Sequence, residues 1–320
     1  MQPAVMADRL LSLRGFTLIT TWPALASKSK EEFDDWLADC GLLWKTRSCP
    51  NCGNPCKLTK QGKKEEECVR WKFECCRRAC RQPGIPHKFG YLKDTFFETL
   101  RGDRKKIFLA SYLFAYDLGL VKEMARTLEV NERTIIQWTQ WFRDVLVDYY
   151  TNNVKKIGGP NTVVQVDETC IVRRKYNVGR IVRKDWCRRN PGWDETSVCR
   201  DHGRSQLYIS GCYHPEIRPT WRGHPHGQVE REGYNNLSNL GYQHETVNHC
   251  ENFVDPTTGA HTQRIENFWG HLKAKIRSRH GLKGDLWDDH FFEVLWKWQF
   301  NSEDLLYELW KLIAAKYPIS

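Results

Sequence analysis

The string Cys49-Pro50-Asn51-Cys52-Gly53, answered after a charged stretch by Trp71-Lys72-Phe73-Glu74-Cys75-Cys76-Arg77-Arg78-Ala79-Cys80, constrains this chain more than any other feature. Two cysteine pairs, each bent into a knuckle, can bring four thiolates to one tetrahedral metal ion. Pro50 and Gly53 shape the first knuckle, and an aromatic strand over Trp71 to Phe73 delivers Cys75 to the second. Cys49, Cys52, Cys75 and Cys80 are therefore the predicted ligands of a Zn2+ ion. Cys76 competes with Cys75, while Cys56 and Cys68 read as spare thiols. A closed four-thiolate site has no open position for water, which points to structural rather than catalytic zinc.

The thirteen cysteines are unevenly spread and crowd between Cys40 and Cys80, which argues against a secreted disulfide scaffold and for a reducing compartment. With 320 residues, 40% hydrophobic and 28% charged, the chain can build two or three packed units. The net charge of +10 favours a polyanionic partner, since each neutralised phosphate releases condensed counterions. No apolar run approaches the roughly 20 residues of a membrane span. The stretch Leu10 to Trp22 is interrupted by Arg14, Gly15 and several threonines, so neither a signal peptide nor a membrane anchor is expected.

Glu31 to Leu43 has Phe33, Trp36, Leu37, Cys40 and Leu43 at helical spacing, with Ser27 or Ser29 as cap. From Lys105 to Asn152 the pattern predicts three helices, broken at Asp117-Leu118-Gly119 and Glu129-Val130-Asn131, the last capped by Asn131 or Thr134. A helix, a short turn and a helix opening Glu132-Arg133-Thr134 has the form of a helix-turn-helix reader, with Arg133 and Gln137 on the element that would enter the major groove. Many three-helix bundles share this pattern and bind nothing.

Gly158-Gly159-Pro160 marks a linker, and Thr162 to Val166 reads as a buried strand. Tyr176-Asn177-Val178-Gly179 reads as a turn between strands over Thr169 to Arg174 and Arg180 to Arg183. Cys187 to Gly233 breaks the pattern, being rich in Arg, His, Gly and Pro with little apolar periodicity. Order returns at Tyr234-Asn235-Asn236-Leu237, a strand-like Thr246 to His249 and a turn over Asp255 to Gly259. A helix follows from Thr262 to Ser278 with Phe268, Trp269, Leu272 and Ile276 as its buried stripe. Trp287 to Leu312 carries aromatics at helical spacing and reads as packing.

Two acids stand out. Asp167 ends the apolar run Val163-Val164-Gln165-Val166, and Glu266 lies on a basic, aromatic helix near His261, Lys273, Lys275 and Arg277. Clustered carboxylates can hold two divalent ions that activate water or a 3'-hydroxyl and stabilise the leaving oxygen of a phosphodiester.

With these motifs the chain resembles the DDE transposases of the Merlin superfamily and related bacterial insertion-sequence transposases. The residues carrying the resemblance are the Cys49/Cys52 and Cys75/Cys80 ribbon, Val166-Asp167-Glu168-Thr169, Arg174 to Arg180, Tyr234 to Leu237, Val247-Asn248-His249, and His261 to Glu266 with Trp269 and Lys273. It implies an α/β RNase H-like catalytic domain over 156–320, preceded by an N-terminal helical segment over 1–45, a zinc ribbon over 46–90 and a helical helix-turn-helix-like unit over 91–155. It further implies cut-and-paste DNA chemistry with Mg2+, Asp167 and Glu266 as metal-binding catalytic carboxylates, and Arg133, Gln137, Lys175, Arg180 and Lys273 as DNA contacts. The implied partner is double-stranded DNA at transposon terminal inverted repeats, bound by a homo-oligomer, in the nucleus if the source is eukaryotic.

The sequence departs from this family where a second catalytic Asp should precede Tyr234. His226-Gly227-Gln228-Val229-Glu230-Arg231-Glu232-Gly233 has none. Glu230 or Glu232 in its place would displace the ion, and in-line attack depends on sub-ångström placement. The block 187–233 also lacks the apolar strands the resemblance demands, as a frame-shifted segment would, so the centre of the domain is expected to be disrupted. Impaired phosphodiester chemistry is one expectation, a catalytically inactive zinc-ribbon DNA-binding protein derived from a transposon the other; a zinc-ribbon RNA-binding module is a third reading that the acidic pair disfavours.

Overall fold

The computed structural model describes residues 9–61, 70–152, 163–166, 197–200, 206–210, 253–279, 287–301 and 303–319. The chain divides into two units, 1–149 with 300–320, and 150–299. Among the described residues the architecture is mixed, with helices and two small sheets.

In the first unit, helix α1 (Trp22–Ala26) leads into α2 (Lys30–Asp39). Ser29, one of the two predicted caps, accepts from the Glu32 amide at 3.1 Å while the Glu32 carboxylate takes the Ser29 N–H at 2.6 Å. This reciprocal capping box satisfies two otherwise orphaned donors, and it holds the Glu32 carboxyl below its ordinary pKa. The three-stranded ribbon follows. Strand β1 (Lys57–Gln61) pairs antiparallel with β2 (Arg70–Glu74), which pairs antiparallel with β3 (Lys88–Gly90), setting Leu58 opposite Phe73 and Phe73 opposite Phe89.

The three predicted helices form with both breaks where the sequence puts them: α3 (Arg104–Ala115), α4 (Val121–Leu128) and α5 (Glu132–Asn152). Asp117 and Gly119 take positive φ in the first break. Glu129 does so in the second, capping α4 in the left-handed region that reverses the chain. Asn131, not Thr134, caps α5, its side-chain oxygen accepting from the Arg133 amide at 2.9 Å. Gly102 is obligatory: at φ +132° a Cβ there would lie 2.6 Å from the ring of fully buried Trp138.

Aromatic packing holds this unit together. Phe108 on α3 meets Phe16, Trp22, Phe33 and Trp36 from the N-terminal segment, and stacks on Trp310 with ring centroids 5.6 Å apart. Trp310 belongs to the last helix, α8 (Leu305–Lys316). The sequence division placed 156–320 in one domain; the packing instead assigns 300–320 to the first unit, because α8 is apolar on most of its faces and fills the space between α3 and Phe96–Phe97. The continuous aromatic segment expected over Trp287 to Leu312 is thus two helices with different partners. Asp304 fixes the return. It caps α8 through the Tyr307 amide at 3.3 Å, accepts the Tyr116 hydroxyl at 2.9 Å and takes the Gly15 N–H at 2.6 Å.

In the second unit, strand β4 (Val163–Val166) pairs parallel with β6 (Gln206–Ser210), which pairs antiparallel with β5 (Ser197–Arg200). Strand β4 stands where the apolar run predicted it. The other two correct the reading of 187–233 as a block without strands: Ser197-Val198-Cys199-Arg200 and Gln206-Leu207-Tyr208-Ile209-Ser210 are short β-prone runs that pairing, rather than periodicity, turns into strands. Helices α6 (Gln263–Ser278) and α7 (Trp287–Gln299) pack on this sheet, α6 against β4 and β6, and α7 against β5. The predicted stripe Phe268, Trp269, Leu272 and Ile276 is buried with Ile265 against Phe291, Val294 and Leu295. Buried Glu293 is held by Arg279 at 2.6 Å and Lys297 at 2.8 Å, which offsets the cost of removing its charge from water.

Candidate functional site

The ribbon gathers the four predicted cysteines. Cys49, Cys52, Cys75 and Cys80 place their sulfurs within 4.8 Å of one another, with Cys52 and Cys75 3.7 Å apart and Cys49 and Cys80 3.9 Å apart. Four sulfurs at about 2.3 Å from a tetrahedral ion stand roughly 3.8 Å from each other, close to these two separations, so the donor set suits such a metal.

Local structure explains the convergence. In the first knuckle the Gly53 amide donates to the Cys49 carbonyl at 2.8 Å, Gly53 takes φ +69°, and the Cys49 amide donates to the Asn54 carbonyl at 2.8 Å. In the second, the strand period turns Phe73 and Cys75 inward and leaves Cys76 exposed outside the cluster. A short 3-10 turn over Arg78–Arg81 then lifts Cys80 into place. Phe73 and Phe89 close the cluster from beneath, and buried Arg47 lies over Trp44 and Phe89 while donating to the Lys93 carbonyl at 3.0 Å. This arginine brace was not legible beforehand, because an arginine among polar neighbours normally reads as solvated.

The thiols differ electrostatically. Hydrogen bonds from Asn54 pull Cys52 down to about 6, whereas hydrogen bonding with Cys52 and burial push Cys80 up to about 12. Burial pushes neighbouring Cys56 up to about 11. A cation in the cluster would displace the remaining protons and turn four mutually repelling sulfurs into ligands. The cluster could bind zinc. Cys68 lies outside the described residues.

The helical unit presents a different surface. On α5, Ile135, Trp138, Thr139 and Phe142 are buried, while Glu132, Arg133, Ile136 and Gln137 are exposed. Arg133 and Gln137, the two predicted base contacts, thus share one outward row four residues apart. Lys122 and Arg126 are exposed on α4, and with Glu129, Asn131 and Glu132 they line a shallow groove at the turn.

In the second unit Glu266 lies in the first turn of α6, half-buried, and accepts the Thr262 hydroxyl at 3.0 Å. Lys273 lies two turns further along and is also half-buried. Before α6 the predicted turn forms, with the Asp255 carboxylate accepting the amides of Thr257 and Thr258, both at 2.8 Å. Helix α6 packs against β4, whose last residue, Val166, immediately precedes Asp167 in the chain. Asp167, Lys175, Arg180, Glu230 and Glu232 lie outside the described residues.

Residues 230–299 match the ISXO2-like transposase domain. The match takes in the Asp255 turn, α6 with Glu266, and α7, and it supports a DDE transposase of insertion-sequence type. No curated protein and no solved structure matches the chain.

Proposed function

We propose that this chain is a DNA-binding protein of DDE transposase descent that recognises duplex DNA, of the kind found at transposon terminal inverted repeats, and whose phosphodiester chemistry is impaired. The observation that carries the reading is the transposase-domain match over 230–299, which contains Glu266 on a helix packed against the strand leading to Asp167. In this reading 150–299 holds the RNase H-like catalytic domain. Asp167 and Glu266 would hold Mg2+, which supplies an activated water or 3'-hydroxyl and a stabilised leaving oxygen. Structural Zn2+ sits in the Cys49, Cys52, Cys75 and Cys80 cluster, whose spacing and all-sulfur donors suit it.

Arg133 and Gln137 contact base edges, while Lys175, Arg180 and Lys273 hold phosphates. The net charge of +10 supports a polyanionic partner. A homo-oligomer on DNA and nuclear residence in a eukaryotic host, as in the Merlin superfamily, complete the proposal. A fully inactive DNA-binding protein is the second reading, favoured by the lack of any Asp in 226–233. Duplexes selected by the protein from a random pool, then offered as cleavage and strand-transfer substrates in Mg2+ or Mn2+, test both. Weak products lost in Asp167→Ala support impaired catalysis, no product with retained selective binding supports the second reading, and no selective binding sinks both.

A further inference from the structure

We propose that Ile136 determines sequence specificity by meeting the C5-methyl group of a thymine in the major groove, an inference that rests on the DNA-binding reading of the helical unit above. A lone exposed apolar side chain is ordinary on any protein surface. Ile136 differs by its position. It is 54% exposed on α5, beside buried Ile135, so the packing of the unit does not need it. Its row begins at exposed Glu132, and the adjacent outward row carries Arg133 and Gln137.

These four side chains form a short, chemically varied face at the start of the longest helix described, directly after a tight turn held by Asn131 and left-handed Glu129. In a helix-turn-helix the residues near the start of the second helix reach base edges. An arginine there suits guanine O6 and N7, a glutamine suits adenine N6 and N7, and an aliphatic side chain has one partner in the groove, the thymine methyl. Exposed Lys122 and Arg126 on α4 supply cations at the turn for the flanking phosphates. Glu123 is occupied within the fold, accepting the Leu120 N–H at 2.8 Å, and Glu129 pairs with Lys106 at 3.6 Å, so two of the acids on this side are already partnered.

The test uses the full chain and a duplex it selects from a random pool. Each thymine is replaced in turn by deoxyuridine, which deletes only the C5-methyl. Replacement at one position is expected to weaken wild-type binding about three- to five-fold, the loss for one buried methyl-sized group. Ile136→Ala, an exposed helical substitution that favours the helix, is expected to bind the thymine and deoxyuridine duplexes alike while retaining its circular dichroism spectrum. Equal wild-type binding to every deoxyuridine duplex, or unchanged deoxyuridine sensitivity in Ile136→Ala, overturns the role of Ile136 and leaves DNA binding standing. Failure to select any duplex overturns the DNA-binding reading and this inference with it.

Discussion

The indole N–H of Trp310 donates to the hydroxyl of Ser111, 2.9 Å away, joining the last helix of the chain to α3 inside a fully buried aromatic cluster. Ser111 in turn donates to the Phe108 carbonyl at 2.6 Å, so its hydroxyl has both an acceptor and a donor in the core. Ser111→Ala strands the indole N–H away from water and should destabilise the first unit by about 1–3 kcal/mol. Adding Trp310→Phe to Ser111→Ala should cost less than the sum of the single changes, because no orphaned donor remains. Urea unfolding followed by tryptophan fluorescence measures both, and additive costs would show that the pair contributes nothing beyond packing.

This pairing also marks a limit of the sequence. The amphipathic pattern of 287–312 reports helix and burial but not partner, so residues 300–320 read as a continuation of the C-terminal domain. The helix breaks were legible because Gly119 and Asn131 carry their own local chemistry; left-handed Glu129 was not, since an acid gives no signal for positive φ. Cys75 over Cys76 was decidable by strand alternation alone, as Phe73 and Cys75 share a face. The strands at 197–200 and 206–210 were missed because short runs among arginines and glycines become strands only through their partners.

Removing metal should unfold the region from Arg47 to about Ile85, whose buried apolar cluster consists of little more than Phe73 and the cysteines themselves, with Phe89 of β3 beside them. Freshly purified reduced protein should carry about one zinc per chain. Cys75→Ser should lose it and Cys76→Ser should keep it, since the Cys76 sulfur lies outside the cluster. Metal analysis of the two variants decides, and equal loss from both would count against the assigned ligand set.

The Asp255 turn should respond to acid. Its carboxyl is held below the ordinary aspartate range by the amides of Thr258 and Thr257. A depressed folded pKa means that the contribution to stability is present above the unfolded value, about 3.9, and is lost as pH falls through the lower folded value. The Thr257 and Thr258 amide resonances should therefore titrate with a midpoint below the ordinary aspartate value. A midpoint at or above it would mean that the carboxylate does not hold these amides in solution.

DNA affinity should fall steeply with salt, log K dropping by roughly 0.9 per log unit of salt for each phosphate neutralised. Arg133→Ala and Gln137→Ala should alter which duplexes are preferred. Lys175→Ala and Lys273→Ala should lower affinity for all duplexes alike and each reduce the salt slope by about one phosphate's share. Titrations of one selected and one scrambled duplex at several salt concentrations separate the two classes. A flat salt dependence would remove nucleic acid from the account.

Cleavage in Mg2+ should be weak at best. The stretch 226–233, where the resemblance puts a second catalytic Asp, contains none. Without that Asp the site would lack a ligand for the second of the two ions that clamp the attacking and leaving oxygens. Mn2+, which binds nitrogen and oxygen donors under less strict demands, should raise any residual activity, and Asp167→Ala or Glu266→Ala should abolish it. Gel assays of strand cleavage on a selected duplex give the comparison. Robust wild-type cleavage in Mg2+ that disappears in Asp167→Ala would mean that a third carboxylate from elsewhere in the chain completes the site, and the impaired reading would fall.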